Sequence, residues 1–150
     1  MTRGTGDAFG MARAATDGAC PCGGHPAPGT AYAACCGRLH DGGQVAETAE
    51  ALMRSRYCAF AVGDEDYLLR TWHPKTRPAS LQLDPRHAWV GLEVLGVTGG
   101  GAADTAGQVV YRARSRGRDG SAHVLIEDSR FERRGGRWVY VDGAVDPASS

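Results

Sequence analysis

Cysteine spacing constrains this chain more than any other feature. Cys20-Pro21-Cys22-Gly23-Gly24 and Cys35-Cys36-Gly37 place four of the five cysteines in one short loop rich in glycine and proline. Residues 20–36 hold too little apolar side chain to build a core, so something other than hydrophobic burial has to order them. A soft divalent ion would do it. Such an ion takes four thiolate or imidazole ligands in a tetrahedron, and structural zinc sites in small peptides release roughly 10 to 16 kcal/mol on binding. Disulfides are the competing use of these residues, and they belong to oxidising compartments. A Cys-x-Cys pair is tighter than the usual Cys-x2-Cys, and adjacent cysteines need a sharp turn, which Gly23, Gly24, Gly29 and Gly37 permit. Cys20, Cys22, Cys35 and Cys36 are the expected zinc ligands, and His25 or His40 is the alternative to one of the vicinal pair.

The rest of the chain reads as one ordinary domain beside this knuckle. Its 150 residues carry no net charge and are 42% hydrophobic. That balance fits a soluble globular protein and advertises neither nucleic acid nor membrane. Residues 1–19 mix Gly, Ala, Thr and charge without period and are expected as a disordered tail. No apolar signal segment or long hydrophobic run is seen, so the expected home is the cytoplasm. The expected divisions are a zinc knuckle over 20–40, a main domain over 45–143 and a loose tail over 144–150.

Periodicity divides the main domain into helices, then strands. Thr48 is a cap, Glu50 favours a first turn, and Ala49, Leu52, Met53, Tyr57 and Phe60 recur at spacings of three and four until Gly63. A second, shorter helix starts at Asp64-Glu65-Asp66 and is stopped by Pro74. Ala88, Val90, Leu92 and Val94 then alternate as a half-buried strand. Val109–Arg116 and Ala122–Glu132 flank Gly117-Arg118-Asp119-Gly120, a hairpin signal with a loop of two or four residues. Either loop puts Val109, Tyr111, Ala113, Val124 and Ile126 on one face. It puts Arg112, Arg114, Arg116, His123, Leu125, Glu127, Ser129 and Phe131 on the other. A last strand over Arg137–Val141 ends at Asp142-Gly143. Helices followed by about four antiparallel strands predict an α+β fold, with one curved sheet wrapped over a long helix.

Outside the knuckle the chemistry is less specific. Arg56 intrudes on the apolar stripe of the long helix, either packing its stem while its head reaches water or entering a cavity. Cys58 reads as a small buried hydrophobe. Arg56, Tyr57, Trp72, His73, Glu127, Arg130 and Asp142 are candidate cavity-lining groups for a small-molecule ligand. No nucleophile, base and orienter can be assembled from their spacing, so no catalytic residues are assigned. Glu127 has a structural alternative: a cross-strand pair with Arg112, worth roughly 0.2 to 1 kcal/mol. The row Arg112, Arg114, Arg116 and Arg118 reads as a solvated face rather than an RNA surface, since few aromatics interleave with it.

Several stretches, taken in order, resemble the YchJ family. They are the two cysteine pairs, Thr48-Ala49-Glu50-Ala51-Leu52-Met53-Arg54-Ser55-Arg56-Tyr57, Thr71-Trp72-His73-Pro74, Glu127-Asp128-Ser129-Arg130-Phe131 and Trp138-Val139-Tyr140-Val141-Asp142-Gly143. The resemblance runs from about residue 20 to 143. It implies an SEC-C zinc motif, named from the SecA translocation ATPase, joined to a domain similar to nuclear transport factor 2, a cone of helices against a curved antiparallel sheet. It also implies that Cys20, Cys22, Cys35 and Cys36 occupy the ligand positions. The spacer between the pairs is longer than is usual for this motif, with His25-Pro26-Ala27-Pro28 as the insertion, and it lacks the motif's common lysines. In SecA the motif is associated with docking to a chaperone or the ribosome. A protein or ribosome-associated partner for the knuckle is the corresponding expectation here, and a homodimer through the open sheet face is another.

Overall fold

The structure is a computed structural model that describes residues 18–150. Of the tail expected over 1–19, all but the last two residues therefore lie outside the described residues. The knuckle opens the described chain. Ala19 pairs with Ala31 in an isolated bridge, a 3-10 turn follows over Tyr32–Ala34, and the short helix α1 spans Gly37–His40. That helix closes the stretch expected as the knuckle.

The long helix α2, Ala49–Val62, has the ends its sequence dictates. Thr48 Oγ1 accepts from the Ala51 amide as N-cap, and Gly63 takes a left-handed φ of 80° at the C-cap. A side chain at that φ would be strained, and losing the Thr48 cap would cost about 1 kcal/mol. Helix α3, Glu65–Arg70, is capped by Asp64, whose carboxylate accepts from Tyr67 N at 3.0 Å.

Four strands, β1 (Ala88–Gly99), β2 (Ala106–Arg116), β3 (Ala122–Arg134) and β4 (Arg137–Val145), form one antiparallel sheet in chain order. Gly135 and Gly136, at φ 60° and 83°, close β3 on β4 in two residues, the turn that matches strand twist. Irregularities after Trp89, after Val94 and between Arg130 and Phe131 bend the sheet around α2. Leu52, Met53, Leu68, Val109, Phe131 and Trp138 form the core between them. The fold is α+β: a cysteine-rich knuckle, then helices packed on a curved antiparallel sheet. No helix of the described residues is long and apolar enough to cross a membrane.

Three strand expectations need correction. The β2–β3 loop has five residues, because Gly117 N donates to Ser121 O at 2.9 Å and Arg116 pairs with Ala122. Loops of two or four residues have the opposite parity, so the face assignment of β3 inverts. Leu125, Glu127, Ser129 and Phe131 share the inner face with Ala113, Tyr111 and Val109, and Glu127 lies opposite Tyr111 rather than on the face of Arg112. Arg112 pairs with Glu93 instead, and Arg118 with Asp84. In β1 the irregularity after Trp89 breaks the alternation, leaving Val90 58% exposed while Trp89 turns inward. The expected loose tail continues the ladder. β4 runs to Val145, and Val124 and Ser150 exchange backbone hydrogen bonds at 3.2 and 2.8 Å.

Candidate functional site

The knuckle folds its cysteines inward. Gly23 and Gly24 both take left-handed φ values, and a Cβ on Gly24 would meet Thr30 N at 2.5 Å, so this tight turn admits only glycine. It sets Cys22 beside Cys35, with Sγ atoms 3.6 Å apart, and Cys35 lies 3.9 Å from Cys36. One sulfur from each of Cys20, Cys22, Cys35 and Cys36 lies within 4.8 Å of all the others, and all four residues are buried. None is in a disulfide. A metal–sulfur distance of about 2.3 Å gives tetrahedral sulfurs roughly 3.8 Å apart, so the set fits a four-thiolate ion. Both histidine alternatives stand elsewhere. His40 uses Nδ1 on Tyr32 Oη at 2.6 Å and Nε2 on Ser55 O at 2.8 Å, while His25 lies 3.8 Å from Glu50.

Electrostatics agree with this geometry. Four thiols this close cannot all ionise without a cation among them. Hydrogen bonds from Cys20 and Cys36 push Cys22 well below the ordinary thiol value, while Cys36 is pushed far up by Cys20 and Cys22. Burial lifts Cys35 to about 12. The Gly24 amide donates to Cys22 Sγ at 3.4 Å, the kind of outer support that fixes a ligating thiolate.

Sequence reasoning missed one member of this cluster. Cys58, fully buried on α2, places its Sγ 3.3 Å from that of Cys20. It stands outside the mutual set of four, where an S–H can donate to a ligating sulfur. Cys58 lies too far along the chain from the two pairs for local spacing to reveal this. Only the docking of the knuckle on α2 brings it there. Arg54 locks that docking, donating Nη1 to Cys22 O at 2.9 Å and Nε to Glu50 at 2.9 Å.

A second site lies between α2 and the sheet. It is a cavity of about 300 Å³, lined among others by Tyr57, Phe60, Trp72, Trp89, Tyr111 and Tyr140. That volume is at the lower end for small-molecule sites. Arg56 enters it rather than reaching water, only 6% exposed, with its guanidinium 4.9 Å from the Trp72 ring centre and 4.6 Å from that of Tyr140. Arg56 Nη1 donates to Leu68 O and Thr71 Oγ1, both at 2.7 Å. Burial lowers its pKa to about 10, which leaves it charged at neutral pH.

Glu127 faces the same space. Its carboxylate accepts from Ser129 at 2.9 Å, Tyr140 at 3.0 Å and Tyr111 at 3.3 Å. Burial first, and Glu127 second, raise both phenols far above neutral pH and keep them as donors. Gly143 makes room for this carboxylate, since a Cβ there would lie 1.9 Å from Glu127 Oε2. Of the candidate lining residues, Arg56, Tyr57, Trp72 and Glu127 meet at the cavity. His73, Arg130 and Asp142 do not. His73 Nδ1 accepts from Lys75 N while Nε2 lies 3.8 Å from Glu132, and Arg130 forms a two-pronged exposed ion pair with Asp142.

Comparison with known proteins places the chain in one lineage. The model of the YchJ middle domain, described as similar to nuclear transport factor 2, matches residues 48–143. The chain belongs to the YchJ family. An uncharacterised UPF0225 protein of Streptomyces avermitilis is 59% identical over 124 residues, covering 83% of this chain and 82% of its own length. One from Corynebacterium efficiens is 52% identical over 127 residues, covering 84% and 92%. Among solved structures, an SEC-C-motif protein from Rhodopseudomonas palustris superposes with a TM-score of 0.72 at 34% identity, covering 85% of this chain and 98% of that one. A second SEC-C-motif protein, from Psychrobacter arcticus, has a TM-score of 0.67 at 27% identity, covering 91% and 85%. The YchJ fold accounts for the cone around the cavity, and the SEC-C likeness for the cysteine knuckle beside it.

Proposed function

We propose that this chain is a zinc-binding protein whose knuckle is a structural and interaction module on the cone-shaped domain. The observation that carries the reading is the cluster of four buried, unoxidised sulfurs within 4.8 Å of one another. An all-sulfur donor set is soft and suits zinc, and four protein ligands leave no coordination position for a substrate. Zinc then acts as a staple, holding a segment with little hydrophobic core against α2. The knuckle exposes Pro26, Ala27, Pro28, Gly29, Ala33 and Ala34, which offer a small surface for a protein or ribosome-associated partner.

Elemental analysis of protein purified without added metal tests the metal. One zinc per chain is expected, lost when Cys35 and Cys36 are both replaced by Ser. Metal-free protein, or disulfides among these cysteines, would end the reading. The interaction role is tested separately: partners captured by the wild-type chain should be released by the same double substitution, and retention of every one counts against it.

A further inference from the structure

The cavity has two polar groups of opposite kind among aromatic walls. One is Arg56, whose Nε and Nη2 have no hydrogen-bond partner among the described residues, although the residue is only 6% exposed. Neither nitrogen is among the fully buried polar atoms left without a partner, so these donors keep some access and an acceptor in the cavity can meet them. The other is Glu127, which receives three hydroxyl donors and has acceptor capacity for about one more. Arg56 and Glu127 make no ion pair with each other within 4.0 Å, although both reach Tyr140, one over its ring at 4.6 Å and the other at its hydroxyl at 3.0 Å. Their charges cancel, and a ligand with net charge would leave one of them uncompensated. Tyr57, Phe60, Trp89 and Tyr111 supply ring surfaces in the same lining, suited to the faces and edges of a further aromatic ring.

We propose that this cavity is a binding site for a neutral, single-ring aromatic compound. The compound carries a hydrogen-bond acceptor directed at Arg56 and a hydroxyl or amine donor directed at Glu127. This site is separate from the cysteine cluster and does not depend on the role given to the knuckle.

The chain's three tryptophans provide the test. Trp72 and Trp89 line the cavity, whereas Trp138 donates Nε1 to Glu47 O at 3.2 Å outside it. The metal-loaded full chain, labelled with nitrogen-15, is titrated with 4-hydroxyacetophenone while the three indole N–H resonances are followed. Saturable shifts of Trp72 and Trp89 with Trp138 unmoved are expected. Acetophenone, which lacks the donor, and 4-methylphenol, which lacks the carbonyl acceptor, should each bind about five-fold more weakly, one net hydrogen bond apiece. Glu127→Gln should weaken the hydroxylated probe and leave acetophenone unchanged. The wild-type probe series decides the matter even if a variant folds poorly. No saturable shift at millimolar probe, equal affinity for all three compounds, or movement of Trp138 in step with the others would each overturn the proposal.

Discussion

The knuckle and the cone are both well buried at their centres, yet they are ordered by different physics. In the cone, α2 and the sheet remove Leu52, Leu68, Val109 and Phe131 from water, and each such side chain contributes roughly 1.5 to 3 kcal/mol. In the knuckle, the buried centre is Cys20, Cys22, Cys35 and Cys36 against Tyr57, Cys58 and Ala113. Four crowded thiols make a poor core without a cation, and a good ligand set with one. On the proposed reading, residues of similar burial should have opposite dependence on metal: one region is expected to keep its shape when metal is withdrawn and the other to lose it.

Removing a ligand should separate the two most sharply. Cys36→Ser is expected to abolish metal retention and forfeit much of the roughly 10 to 16 kcal/mol that structural zinc supplies. Circular dichroism should nevertheless keep the sheet signal, and loss of the whole fold would show that the cone leans on the knuckle. The reciprocal change is Phe131→Ala, which should destabilise the cone by about 3 to 5 kcal/mol while elemental analysis still finds one metal per chain.

Arg54 is the joint between the regions. Arg54→Met should cost about 1.5 to 3 kcal/mol in denaturant unfolding, for a charged hydrogen bond lost to Cys22 O. If this variant unfolds at the wild-type midpoint, the docking contact contributes nothing.

A smaller effect is expected from acid. Burial pushes His40 below its ordinary 6.5, so the folded state favours its neutral form. The unfolded chain then binds more protons as pH falls, and stability present above pH 6.5 declines below it. Thiolate protonation acts in the same direction, so the diagnostic is the variant: His40→Gln should flatten part of the fall in melting temperature measured from neutral pH downwards. An unchanged slope would remove His40 from this account.

Local signals were legible in the sequence and long-range ones were not. Thr48, Glu50 and Gly63 mark the long helix because caps and periodicity act within a turn or two. The cluster of Cys20, Cys22, Cys35 and Cys36 was legible for the same reason, since they lie in two pairs on one loop. Glu127 was misplaced because the hairpin closes through five residues, Gly117–Ser121, and one residue of register moves a whole strand face. Its partners Tyr111 and Tyr140 come from neighbouring strands, so no spacing announces the cavity. Arg56 was weighed as a snorkelling residue or a cavity group. Only the approach of Thr71–Trp72 to Tyr140, with Tyr140 N donating to Thr71 O at 2.8 Å, closes aromatic rings around it. Cys58 joins the sulfur cluster for the same reason, by packing rather than by proximity in the chain.

Amide hydrogen exchange of the metal-loaded chain, repeated after a strong chelator, tests the contrast between the two regions most directly. Protection should collapse over residues 20–40 and persist in β2 and β3, whose ladder needs no ion. Unchanged protection in the knuckle, or its loss throughout the sheet as well, would contradict the claim that metal orders one region and apolar burial the other.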